Sequence, residues 1–243
     1  MTKPTLLFWT GGLDSTYRLC EALLVEDRTV QPIYVIDAAR GSTGTELRTM
    51  QQMRAKLVAR MAQPARLLPS IAFHKDDYTP SEELSNRFEE LASRAHVGAQ
   101  YLWLAAAAEY HGWNGVEVCI TRHEPPTELQ QVLFVNPGTA DPTLRDEDYT
   151  QVFRYWSFPV LGVTKSEMWD RANDAGFGDI LSMRWFCFKP SRGRPCGLCP
   201  PCQIAQADGV TDGLHFPSQT TIFARRAKRY VSRRLPRFST SSD

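Results

Sequence analysis

The chain has 243 residues, 42% of them hydrophobic, with 28 basic and 27 acidic side chains and a formal charge of +1. That length is enough for one α/β domain with a real core and a smaller appendage. No apolar run approaches the roughly 20 residues a spanning helix needs, and Met1 leads almost directly into an apolar segment rather than a charged, cleavable leader, so a soluble, cytoplasmic protein with no membrane partner is expected.

The first apolar run, Leu6-Leu7-Phe8-Trp9, reads as a strand, and Tyr17, Leu19, Cys20, Leu23 and Leu24 then recur at helical spacing before a second run, Ile33-Tyr34-Val35-Ile36. Together they predict a βαβ unit. Between strand and helix stands Thr10-Gly11-Gly12-Leu13-Asp14-Ser15-Thr16. Two adjacent glycines let backbone amides approach an anion, Ser15 and Thr16 bring hydroxyls, and the helix start adds positive potential, which together make a phosphate cradle. The alternative is a turn in which Asp14 or Ser15 caps the helix. The loop is neither a Walker sequence nor a GxGxxG fingerprint.

Further along, Glu46 to Met61 predicts a second helix, Leu67 to Phe73 a strand weakened by Pro69, Ser81 to Ala95 a third helix, and Gly98 to Tyr110 an Ala-rich helix. Val116 to Thr121 reads as a buried strand. Alternation of this kind predicts a doubly wound, mostly parallel sheet with helices on both faces. From Glu124 to Tyr149 the chain is rich in Pro, Asp and Thr, and this stretch is read as an irregular active-site loop or lid. Regular structure is expected to resume at Phe158 to Val163, where Thr164 and Glu167 have capping-box spacing for a helix running to about Ala175 and closed by Gly176.

Near the C-terminal end, Cys187, Cys196, Cys199 and Cys202 form a C-x8-C-x2-C-x2-C array with interspersed prolines and Gly197. Tight turns of this kind let four thiolates converge on one tetrahedral Zn2+ with no position left for water, which makes the site structural; an iron-sulfur cluster uses similar runs. Cys20 and Cys119 are expected to be small core residues. Seven basic residues and no acidic one fall between Arg225 and Arg237, leaving 21 basic and 27 acidic side chains elsewhere. Such a tail is either a solvated terminal helix with a loose end or a holder of nucleic acid or another phosphate-rich ligand. The expected division is 1–180 for the catalytic domain, 181–216 for the cysteine segment and 217–243 for the tail.

The glycine loop resembles the SGGxDS signature of the PP-loop ATP pyrophosphatases, with Thr10 where that superfamily usually has Ser. Its pairing with the cysteine array resembles the 7-cyano-7-deazaguanine synthases, the QueC family, and Pro159 to Met168 is similar to that family's apolar, Lys-x-Glu-aliphatic segment. The resemblance touches residues from about 6 to 215 and is dense at the two ends. It implies a PP-loop, Rossmann-like fold and ATP bound by Thr10, Gly11, Gly12, Asp14, Ser15 and Thr16, with Asp37 near the nucleotide or its Mg2+. It also implies Lys165 neutralising phosphate charge, with Asp14 and Ser15 among the catalytic groups, Zn2+ on the four cysteines, and a homodimer. The implied reaction converts 7-carboxy-7-deazaguanine, with ATP and ammonia, into the nitrile.

Two stretches depart from the family. Asp37-Ala38-Ala39-Arg40-Gly41-Ser42 replaces an Asp-Tyr-Gly-Gln-basic-His run, and Thr121-Arg122-His123-Glu124-Pro125-Pro126 replaces the deazaguanine loop. Arg122 is therefore expected to grip a carboxylate or phosphate bidentately. The changed acceptor half leaves open a ligase acting on a different, even macromolecular, amine, and a nucleotide-binding partner protein without catalysis.

Overall fold

The chain opens on strand β1 (Thr5–Phe8), whose residues point alternately to two cores: Leu7 packs into one and Phe8 into the other. The same division recurs on β2 (Val30–Ile36), where Ile33 and Tyr34 go to opposite faces. A strand buried on both faces is the mark of a sheet sandwiched between helices. The computed structural model describes residues 3–191, 193–207, 215–218 and 220–226.

Between β1 and β2 runs α1 (Leu13–Cys20), which continues into one π-helical turn, Glu21–Val25. The following elements are α2 (Thr43–Val58), β3 (Ile71–His74), α3 (Glu82–Arg94), α4 (Gln100–His111), β4 (Val116–Glu117), α5 (Glu128–Leu133), β5 (Phe134–Val135), β6 (Thr143–Leu144), β7 (Trp156–Ser157), α6 (Lys165–Asp174), α7 (Gly178–Leu181) and α8 (Pro200–Ala207). The main sheet has the order β3-β2-β1-β4-β7 and every pairing in it is parallel. Chain order runs outward from β1 in one direction and then reverses, so the switch point lies between β1 and β4. Ligands of open α/β sheets sit at the carboxyl ends of such a strand pair. Among the described residues no helix is long and apolar enough to cross a membrane.

Three expectations change. The stretch 124–149 is not irregular: Thr127 and Gln130 form a reciprocal capping box that starts α5, and β5 pairs with β6 in an antiparallel ladder. Leu133 and Phe134 are fully buried, with Phe134 edge-on to Phe158 at 5.2 Å, so apolar anchors override the loop-like composition. Secondly, Phe158 to Val163 is a pair of turns, closed by the Leu161 and Val163 amides donating to the carbonyls of Phe158 and Val160. Pro159 cannot donate to a ladder, and a side chain at Gly162 would stand 2.2 Å from the Ala140 carbonyl oxygen. The fifth strand is Trp156–Ser157 instead. Thirdly, the strand at Val116 keeps only two ladder residues, although the Val118 amide still donates to Ser157. Most of the tail from 217 to 243, including the end expected to be loose, lies outside the described residues.

Candidate functional site

Immediately after β1 the chain turns on Gly11, whose φ of +70° suits glycine and where an added Cβ would lie 3.0 Å from the Met50 side chain. Gly12 caps α1 with extended backbone and no side-chain bond, so no side chain of the cap takes up the first amides of the helix. The Ser15 hydroxyl accepts from the Thr10 amide at 3.3 Å and lies 3.4 Å from the Thr10 hydroxyl. Thr10, Gly12, Asp14 and Ser15 all line a cavity of about 290 Å³ at the switch point. Thr16 does not: it is fully buried, and its hydroxyl accepts from the Trp9 indole at 3.1 Å and donates to Met53.

The same cavity has a wall from α4 (Gln100, Tyr101 and Leu104), a floor from Val118 and Cys119, and a cover from Trp185, Phe186, Phe188 and Pro201. Burial raises the Cys119 thiol well above its ordinary value, so it is an inert wall rather than a nucleophile. A second cavity of about 250 Å³ shares Gly12, Leu13, Asp14, Phe186 and Pro201 with the first and is completed by Lys165, Arg184 and α8. Lys165, in the first turn of α6, thus stands beside the glycine loop. Arg184 is 2% exposed, with its guanidinium over Trp169 at 4.8 Å. A cation so shielded from water exerts its field at close range.

Arg122 lines neither cavity. It donates to the Gly162 carbonyl at 2.9 Å and to Glu167 at 3.2 Å, with Glu124 2.9 Å from Nε. The guanidinium that the sequence offers as a substrate grip therefore fastens the end of β4 to the capping box of α6. Asp37 also lies outside both cavities. Burial works to raise its carboxyl, but hydrogen bonds from Lys75 and the Ala39 amide outweigh this and hold it below the ordinary value. Its ion pair with Lys75 is 3.0 Å long.

Arg40 is the residue that sequence reasoning missed. It lines the first cavity, stacks over the Phe188 ring at 4.9 Å and stands 3.8 Å from Glu46. Glu46 is 6% exposed and already accepts from Tyr34 at 2.9 Å and Ser42 at 2.6 Å. Arg40 is thus held by stacking and by attraction across a gap, an arrangement suited to receiving a carboxylate or phosphate on its planar fork. The signal in the sequence was the replacement of a family motif at 37–42, but nothing there shows which side chain turns inward.

The four predicted cysteines converge. All four are buried, and their sulfurs lie within 4.8 Å of one another. Sγ separations of 3.4 Å for Cys199–Cys202 and 3.9 Å for both Cys196–Cys202 and Cys187–Cys199 are far too long for a disulfide. They are close to the edge of about 3.8 Å expected for a tetrahedron with metal–sulfur bonds of about 2.3 Å. The group can therefore hold one metal ion such as zinc. Sulfur also receives backbone donors: the Cys196 amide on Cys187 at 3.1 Å, and the Leu198 and Cys199 amides on Cys196, both at 3.3 Å. Hydrogen bonding from the Cys202 thiol and from backbone amides holds the Cys187 thiol below its ordinary value, while the same bond, burial and the Cys199 thiol push Cys202 up.

This module is joined to the glycine loop. The Trp185 amide donates to the Gly11 carbonyl at 2.8 Å, and two residues further on Cys187 enters the sulfur cluster, its carbonyl accepting from the Trp185 indole at 3.0 Å. Pro201, beside Cys202, lines both cavities. The cysteine module is a wall of the site, not a remote appendage. No protein-family model matches the chain, and no curated protein is similar to it.

Proposed function

We propose that the chain is an ATP-dependent carbon–nitrogen ligase of the PP-loop kind that activates a carboxylic acid, with 7-carboxy-7-deazaguanine and ammonia as the substrates that its QueC resemblance implies. The observation that carries this reading is that one cavity at the sheet's switch point is lined both by the Thr10–Ser15 cradle and by Arg40, so phosphate oxygens and an acid find separate receptors within one space. In the reaction, a carboxylate oxygen attacks the α-phosphorus of ATP, the bond to pyrophosphate breaks, and the amine then attacks the acyl carbon and releases AMP. A second ATP then adenylates the amide oxygen with release of pyrophosphate, and the carbon–oxygen bond breaks to expel AMP as the nitrogen gives up its two protons, which leaves the nitrile.

On this reading the loop amides and the hydroxyls of Thr10 and Ser15 hold the pyrophosphate portion, while Lys165 and Arg184 offset its growing charge as it leaves. Mg2+ would share that charge, with Asp14, which lines both cavities, and Asp37 as the carboxylates that would hold it. Zn2+ on Cys187, Cys196, Cys199 and Cys202 fixes the wall. Homodimeric assembly and a cytoplasmic location belong to the same reading. A second reading, a ligase for a larger amine, is favoured by the joined second cavity, whose wall carries Ile204 at 49% exposed, because ammonia needs no such room.

The test is mass spectrometry of products after incubation with ATP, Mg2+, the deazaguanine acid and ammonium, with Ser15→Ala alongside. Nitrile, AMP and pyrophosphate are expected from the parent chain, and about 100-fold less from the variant, the usual loss for one oxyanion donor. Adenylated acid or AMP without nitrile selects the second reading. Absence of any ATP turnover overturns the ligase.

A further inference from the structure

Next to the cysteine cluster, with Pro195 beside Cys196 in its lining, is a third cleft of about 620 Å³ that the proposed reaction does not use. Its walls bring together the guanidinium groups of Arg194 and Arg225, the hydroxyls of Ser191, Ser218 and Thr221, and the ring of Phe216; among the described residues no carboxylate lines it. Arg225 is fixed in place by bonds to the Cys196 carbonyl at 3.0 Å and the Ser191 hydroxyl at 3.2 Å. The Phe216 ring is steadied by stacking on Phe186 at 6.0 Å. Gly197 is the hinge of this packing: a Cβ there would stand 2.9 Å from Ile222.

We infer that this cleft binds the sugar-phosphate backbone of single-stranded nucleic acid, with Phe216 offering a face to a base. Guanidinium forks and hydroxyls are donors for phosphate oxygens, and cations interleaved with an aromatic ring are the usual platform for a single strand. In the sequence, Arg226, Lys228, Arg229, Arg233, Arg234 and Arg237 follow Arg225 with no acidic residue between them. The remainder of the chain is net acidic, so attraction to a polyanion is concentrated at this end. A concave floor favours a flexible strand over a flat bilayer, which cannot reach it. The inference does not rest on ATP turnover.

Fluorescence anisotropy of the full metal-loaded chain with labelled 12-nucleotide RNA and DNA, at low and moderate salt, tests it. Binding is expected with a slope of log affinity against log salt of about −2, on the basis of roughly −0.7 per phosphate engaged and about three phosphates. Arg194→Glu should weaken it at least tenfold, while Arg48→Glu, an equal charge change on the exposed face of α2, should stay within about twofold. Phe216→Leu, which keeps apolar packing, should cost about fivefold. Metal content and melting temperature certify that each variant is folded. Equal losses from Arg194→Glu and Arg48→Glu would mean bulk charge alone and overturn the site. So would binding to anionic lipid vesicles but not to oligonucleotides, or no binding at low salt.

Discussion

The two ends of the central strands handle charge in opposite ways. At the foot, Arg18 is buried and its fork is filled: it grips Glu117 bidentately at 2.8 and 2.9 Å and reaches Glu21 at 2.8 Å. The π-helical turn brings Glu26 onto the same guanidinium, and Arg28 closes the cluster on Glu117 at 3.1 Å. At the carboxyl ends, by contrast, Arg40 faces Glu46 across 3.8 Å while Glu46 is occupied by two hydroxyls. The foot is a closed set whose members satisfy one another. At the crown, Arg40 is held by stacking on Phe188 and by one long ion pair. Burial alone does not distinguish a structural charge from a functional one; whether its hydrogen-bonding capacity is used up does.

The largest expected effect lies at the foot. Glu117→Ala takes the bidentate partner from the buried Arg18 guanidinium, which keeps Glu21 and Glu26, and should destabilise the fold by about 2–3 kcal/mol, the range for hydrogen bonds to a charged group; urea denaturation measures this, and a loss below about 1 kcal/mol would mean that the cluster is not desolvated as the structure has it. Next comes Arg40→Ala, expected to leave the urea midpoint nearly unchanged and to raise KM at least tenfold for the anion it grips. A KM effect on the acid alone would make Arg40 the acid receptor, and one on ATP alone would assign it to phosphate. The smallest effect is on pH dependence. Hydrogen bonds from Arg18 lower the Glu26 carboxyl, and those from Arg60 lower Asp179. A carboxylate depressed in the folded state stabilises it fully above the ordinary value, about 4, and loses that contribution as pH falls through the folded value. Stability should therefore drop below about pH 4, and Glu26→Gln should flatten that drop modestly because the pair is partly exposed.

Much of this architecture can be read from the sequence because its cues are local. The alternation in β1 and β2, the caps at Ser81 and Thr164, and the glycine pair before α1 each depend on residues a few positions apart, and the structure carries them. The four cysteines are legible for the same reason, because their spacing is itself the geometry. What fails depends on partners distant in sequence. Composition makes 124–149 look like a loop, yet Leu133 and Phe134 find a core built by other elements. Thr16 reads as one more hydroxyl for the anion, although helix phase turns it toward Trp9 and Met53. Arg122 and Arg40 are indistinguishable as symbols. Their roles separate only when Gly162 and Glu167 capture the one and Phe188 the other.

The bond from Trp185 to the Gly11 carbonyl also fixes when the cradle can exist. Its two ends come from the first and last quarters of the chain, so it is a contact of very high order that closes a long loop. During synthesis the β1–α1 unit emerges first but must wait for the cysteine segment before its loop acquires its final hydrogen bond. The loop would therefore reach its final shape only once the cysteine segment has emerged, and a chain truncated before Trp185 would carry an intact glycine motif without the brace that shapes it.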